Sequence, residues 1–131
     1  MHYLVATDSV HTTAVACDYL DSRLDGPGAD TVTLLTVSAG DARDAGDAAN
    51  VARARLAGRA TLATRTRDGD PAEAMLAATD ELGADVLVLG PRSGAPGSDT
   101  ELGSTARTVL ARASIPAVVV PLERLDPDGV E

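Results

Sequence analysis

Lysine is absent from this chain of 131 residues; all 11 basic side chains are arginine. Without lysine there is neither a Walker-type phosphate loop nor a Schiff-base nucleophile. Phenylalanine and tryptophan are absent too, which removes the best stacking platforms for single-stranded nucleic acid. Basic charge is scarce: 20 acids against 11 bases leave a net charge of −9. A phosphate backbone or an anionic membrane is met through a basic patch, so neither is an expected partner. A single cysteine excludes a disulfide framework within the chain. No apolar run approaches the ~20 residues of a membrane span. The opening residues, MHYLVATDS, place no positive charge ahead of the apolar run, so they do not read as a signal peptide. The expected location is the cytoplasm.

What is present is the composition of a folded domain. Hydrophobic residues make up 44% of the chain, enough to bury a core at this length. Residues 1–121 read as one domain and residues 122–131 as a short acidic tail. The acidic, lysine-free, alanine-rich balance resembles that of a salt-adapted protein, with an ordinary acidic bacterial protein as the alternative. High net charge keeps a protein soluble while straining it at low salt.

Strand-like and helix-like patterns alternate along the chain. Tyr3 to Ala6 is a short apolar run. Thr13, Ala16, Cys17, Leu20 and Leu24 then follow at helical spacing, and Gly26-Pro27-Gly28 stops that helix. Thr31 to Val37 is β-branched and apolar, a second strand. Asp41 or Asp44 is positioned to cap a second helix whose apolar face is Ala48, Val51, Ala52 and Leu56, ending at Gly58. Thr61 to Arg67 alternates weakly and reads as an exposed strand. Asp70-Pro71-Ala72-Glu73 is a helix start: a cap, a proline at the first position and a capping box. Its face is Ala72, Met75, Leu76, Thr79 and Leu82, closed by Gly83. Val86 to Leu89 is a fourth strand. Ala106, Val109, Leu110 and Ala113 form a fourth helix face, and Ala117 to Val120 a last strand behind Pro116. Alternation of this kind predicts a parallel sheet with helices on both faces. Strands buried on both sides are continuous apolar runs, so the first and fourth belong in the middle and the third at an edge.

In such sheets ligands bind beyond the carboxyl ends of the strands, where the strand order reverses. Two central strands, one and four, put that crevice between Asp8 and Gly90. The stretch GPRSGAPGSDTELGST, Gly90 to Thr105, lies there. Its glycines permit close backbone approach. The helix after Gly103 offers unpaired amides at its start, Ser104 and Thr105 add hydroxyls, and Arg92 is the nearby cation. Two readings stand side by side: a phosphate cradle, or a flexible connection ending in a helix cap.

Taken together, YLVATDS, DGDPAEAMLAATDELGADVLVLG, the glycine loop and GSTARTVLARASIPAVVVP resemble the universal stress protein family over most of the chain. The resemblance implies a Rossmann-like α/β fold of the adenine-nucleotide-alpha-hydrolase type, with five parallel strands in the order 3-2-1-4-5. It also implies ATP binding through a pattern of glycine, two residues, glycine, nine residues, glycine and serine or threonine. Gly90, Gly103 and Ser104 keep that pattern's outer marks; Ser93 stands at the middle position, with Gly94 one place later. Asp99 and Glu101 add negative charge to the loop, which opposes a triphosphate unless a bridging divalent cation, Mg or Mn, or salt offsets it. By this resemblance Asp8 and Val37 border the base or ribose. Gly90, Arg92, Gly94, Gly103, Ser104 and Thr105 surround the ribose and phosphates. Asp8 has a second reading as a cap on the first helix.

The fifth strand of that order is an edge, yet Val118, Val119 and Val120 carry no protective charge. The family pairs two copies there, so a homodimer through this strand is expected. Other residues carry no function. Cys17 reads as a buried small hydrophobe, and His2 and His11 lack ligand spacing, with His11 read as solvated. Asp41, Asp44 and Asp47 do not complete a calcium loop, and Arg53, Arg55 and Arg59 read as a solvated face. No acid–base pair, triad or metal cluster assembles, so efficient catalysis is not expected. Slow ATP hydrolysis or phosphorylation of a loop hydroxyl such as Ser104 follows from the resemblance alone. The competing function is that of a dimeric interaction or chaperone-like module without nucleotide.

Overall fold

The computed structural model describes residues 1–7, 9–26, 28–37, 42–91 and 102–121, without the side chains of 42–45. In chain order the elements are β1 (His2–Thr7), α1 (Val10–Asp21), β2 (Thr31–Val37), α2 (Ala42–Leu56), β3 (Thr61–Arg67), α3 (Pro71–Leu82), β4 (Val86–Leu89), α4 (Ser104–Arg112) and β5 (Ala117–Val119). Every strand pair is parallel, in the order β3-β2-β1-β4-β5. Leu4 of β1 sits between Thr33 of β2 and Leu87 of β4. The chain thus starts in the middle, winds outward to β3, then crosses back to β4. Parallel neighbours need such crossovers, and the helices supply them.

The two-residue period of the strands sorts the core into two layers. Tyr3, Val5, Val32, Leu34 and Val88 face α1 and α2, where Ala16, Cys17, Leu20, Ala52 and Leu56 meet them. Leu4, Ala6, Leu35, Leu87 and Leu89 face α3 and α4, against Ala72, Met75, Ala78, Ala106 and Val109. Both faces of β1 and β4 are therefore buried, which is why these strands read as unbroken apolar runs. At the far edge β3 has no buried residue.

Local chemistry sets the helix ends. Ser9 caps α1, its Oγ accepting the Thr12 amide at 3.1 Å. Asp70 caps α3 by accepting the Glu73 amide at 3.0 Å, with Pro71 behind it. Gly83 ends α3 in the left-handed region at φ 63°, where a side chain would clash. The reciprocal half of the expected capping box does not form. The Glu73 carboxylate turns instead to Arg112 of α4, because a charged partner outcompetes a backbone amide for it. The expected solvated arginine face is exposed but engaged: Arg55 meets Asp18 at 2.6 Å and Arg59 meets Asp21 at 3.0 Å, tying α2 and its C-terminal turn to α1. Leu110, expected on the buried face of α4, is 42% exposed. Ala113 lies just beyond the last residue of the helix. The Asp41 cap and the tail 122–131 fall outside the described residues.

Candidate functional site

A cavity of about 330 Å³ opens beyond the carboxyl ends of the central strands. Its floor is strand ends: Ala6 and Thr7 of β1, Val37 of β2, and Leu89 and Gly90 of β4. Thr12 of α1 forms one wall, and Pro71 and Met75 of α3 another. Gly103, Ser104, Thr105 and Ala106, the start of α4, close the third side. The topology explains this convergence. In a parallel sheet every crossover helix begins at the carboxyl end of its preceding strand. Helix α3 leaves edge strand β3 and crosses over β2 toward β4, which carries its first two turns over the crevice.

Three helix N-termini thus meet at one cavity, and they differ. The α1 terminus is occupied by Ser9. The α3 terminus is occupied by Asp70. The α4 terminus has Gly103 at its cap and no side-chain cap bond. Its cap carbonyl accepts from the Arg107 amide at 3.0 Å, so the helix begins cleanly there. The Gly103 amide is spent on the Pro91 carbonyl at 2.6 Å, which pins the two ends of the intervening loop together. Among the described residues, the first-turn amides of α4 have no side-chain cap and stand as donors at the positive end of a helix dipole.

The two threonines of the cavity are not equivalent. Thr7 Oγ1 lies 2.8 Å from both the Thr13 hydroxyl and the Ser9 carbonyl, and accepts the Ser9 amide at 3.2 Å. Thr13 also donates to the Ser9 carbonyl at 2.8 Å. That network shapes the turn from β1 into α1 and uses the Thr7 hydroxyl up. Thr12 Oγ1 accepts from Ser9 Oγ at 3.0 Å, and no bond donated by it is formed among the described residues. Among the described residues that proton has no acceptor, and Thr12 lines the cavity. The residues lining the cavity are all uncharged among those described.

Five residues singled out in the sequence, Val37, Gly90, Gly103, Ser104 and Thr105, line this one cavity. Asp8, Arg92 and Gly94 lie outside the described residues, as do Ser93, Asp99 and Glu101. Sequence reasoning missed Ala6, Thr7, Thr12, Pro71, Met75, Leu89 and Ala106. Pro71 was legible only as a helix start and Met75 only as core, since their place at the crevice depends on where α3 crosses the sheet. Cys17 is away from the cavity and 1% exposed; burial pushes its thiol up to about 11. His11 departs from expectation. It sits in the first turn of α1, half-buried, and its Nε2 is shielded with no partner among the described residues. Because α1 begins at Val10, the ring is carried onto the protein rather than into an open turn. Among the described residues, no group of three or more acidic, histidine or cysteine side chains is disposed to hold a metal, and no helix is long and apolar enough to cross a membrane.

The family model for universal stress proteins matches residues 1–121. Among solved structures, the chain is similar to a universal stress protein in complex with cAMP, at 22% identity and TM-score 0.69, over 94% of this chain and 98% of that one. It is similar to the universal stress protein of Archaeoglobus fulgidus in complex with dAMP, at 18% identity and TM-score 0.65, over 92% and 97%. A universal stress protein family member from Arabidopsis thaliana with AMP bound aligns at 12% identity and TM-score 0.62, over 94% and 92%. A search of curated protein sequences found no match. At these identities the structural likeness is one of fold.

Proposed function

The chain belongs to the universal stress protein family, and from that premise we propose that it is an adenine-nucleotide-binding protein of stress response or signalling. The observation that carries this reading is the uncapped start of α4, facing an apolar floor across one cavity. Apolar surface from Ala6, Val37 and Met75 suits the base. The Thr12 hydroxyl is a donor for a ring nitrogen or a ribose oxygen. The α4 amides and the hydroxyls of Ser104 and Thr105 suit phosphate, as helix N-termini do generally. Relatives of the same fold hold cAMP, dAMP and AMP. ATP is the ligand that the family resemblance implies, with Asp8, Arg92 and Gly94 as further contacts and Mg or Mn to offset the acids of the loop. The protein works in this reading as a cytoplasmic homodimer paired through β5. The ligand alters the shape of the dimer rather than being turned over, since the cavity brings no acid–base pair together among the described residues.

Thermal unfolding with and without nucleotide tests the reading. A ligand that binds only the folded state adds about 2.7 kcal/mol at a hundredfold excess over Kd, several degrees for a domain of this size. Gly103→Val is the control. Gly103 is extended, at φ −71° and ψ 164°, so its backbone admits valine, and it lines the cavity. The variant is expected to fold, losing about 1 kcal/mol at the cap, and to show no nucleotide-dependent shift. An unaltered melting temperature of the parent protein at millimolar AMP, cAMP and ATP would favour the nucleotide-free interaction module.

A further inference from the structure

Resting on the nucleotide reading above, we infer that Arg112 is a positioning residue of the site: it holds the first turn of α3 so that Pro71 and Met75 present a fixed wall to the ligand. Arg112 is the last residue of α4, and its guanidinium meets the Glu73 carboxylate at 2.5 Å and 3.4 Å. Arg112 is not among the lining residues of the cavity, whereas Pro71 and Met75 are. Four positions apart, those two share one side of α3. Glu73, two positions from each, lies on the other side. Arg112 therefore takes hold of α3 from behind its lining face. In this part of the helix Ala72 and Met75 are buried in the core, while Asp70, Pro71 and Glu73 stand in solvent. The Asp70 cap bonds within the helix, to the Glu73 amide through its side chain and to the Ala74 amide through its carbonyl. It shapes the turn without fastening it to a neighbour. The Arg112 pair supplies that fastening.

Helix α4 thus serves the cavity at both ends. Its first turn, Ser104 to Ala106, closes one side, and its last residue grips the helix that forms another. A helix is a stiff rod rising about 1.5 Å per residue, so one element sets the distance between two walls. Glu73 is available for this because it leaves the capping box unfinished and turns to the guanidinium. The Asp70 carboxylate adds to the attraction that Arg112 feels from this helix start. Arg112 and Glu73 are 51% and 61% exposed, and exposed pairs add little to global stability. Loss of the pair is therefore expected to leave the fold intact and to loosen one wall, an effect on binding rather than on folding.

The test is calorimetric titration of the nucleotide-free full chain with adenosine and with AMP, in 0.15 M and 2 M KCl, for the parent, Arg112→Gln and Arg112→Lys. At low salt Arg112→Gln is expected to weaken both ligands by the same factor, about threefold, because the wall meets the part they share. Arg112→Lys keeps the charge and is expected to recover part of the loss. In 2 M salt the difference between the parent and Arg112→Gln narrows, since an exposed ion pair is screened. Hydrogen exchange without nucleotide reads the turn itself. The amides of Glu73 and Ala74 are expected to exchange faster in Arg112→Gln, and those of β1 and β4 at the parent rate. Faster exchange with unchanged binding overturns the inference, because the pair would then steady the helix without serving the site. A loss confined to AMP also overturns it, because the guanidinium would then act on the phosphate by charge. So does a loss that neither lysine nor salt relieves, which would assign the effect to packing of the arginine stem. Binding of neither ligand by the parent protein overturns the nucleotide reading, and the inference with it.

Discussion

Cys17 shows how far a single side chain can be read from its neighbours. It follows Ala16 on the inner face of α1, and its thiol meets the apolar layer of Tyr3, Val5 and Val32 rather than water. Burial is the first cause that raises its pKa, to about 11 from an ordinary 9.0; nearby Arg55 opposes this and Asp18 adds to it. A raised thiol pKa means that folding favours the protonated form. The stability this contributes is whole below pH 9.0 and is lost as the pH rises through about 11. At pH 8 Ellman's reagent is expected to label Cys17 rapidly in urea and negligibly in the native protein. Equal rates in the two states would mean that α1 does not hold its place on the sheet. The threonines mark the limit of reading at this scale. Thr7 and Thr12 are both polar residues flanking the first turn in sequence, and only the hydrogen-bond partners distinguish the committed hydroxyl from the one that donates no bond among the described residues.

Elements were more legible than residues, because their signals repeat. Thr31–Val37, Thr61–Arg67 and Val86–Leu89 have the bounds their composition predicts, and the apolar character of the first and fourth strands placed them centrally. The start and stop of α3 were written in Asp70, Pro71 and Gly83. Removing that cap by Asp70→Ala is expected to cost about 1 kcal/mol. Gly83→Ala is expected to cost a similar amount, about 1 kcal/mol, since its left-handed backbone penalises any Cβ. Urea melts of both variants check this, and a loss near zero for Asp70→Ala would mean that proline and tertiary packing define the helix start alone. What was not legible is tertiary. Leu110 sits at helical spacing from Ala106, yet α4 presents Ala106 and Val109 to the core and leaves Leu110 in solvent. Glu73 has the right offset for a capping box, yet Arg112 stands 39 residues away in sequence and captures it. The candidate site divides the same way. Its glycine-and-hydroxyl side, Gly90, Gly103, Ser104 and Thr105, is one continuous motif. Its opposite wall, Pro71 and Met75, exists only because a crossover returns over the sheet.

At the scale of the whole molecule the two sheet edges are built differently. Edge strand β3 carries Arg65 and Arg67, and Arg67 is locked to Glu81 at 2.6 Å. Charges along an edge discourage another strand from pairing there. Edge strand β5 has no such protection: Ala117, Val118 and Val119 are apolar and only half-buried. Val120, grouped with them in the sequence reading, is 1% exposed and belongs to the core facing α1 and α2, so it can join an interface through its backbone but not its side chain. A chain of net charge −9 repels its own copies at long range, and in the proposed dimer the apolar edge would supply the short-range attraction that opposes this. Association through β5 is therefore expected to strengthen with salt, as screening removes the repulsion while leaving apolar burial intact. Val119→Lys places a charge on that edge and is expected to shift the protein from dimer to monomer in light scattering at both low and molar salt. Because Val119 also packs against the core facing α3 and α4, far-ultraviolet circular dichroism must show the parent's helix content for the result to count. A folded variant that remains dimeric would move the interface away from β5, and a parent protein that is monomeric in molar salt would remove it.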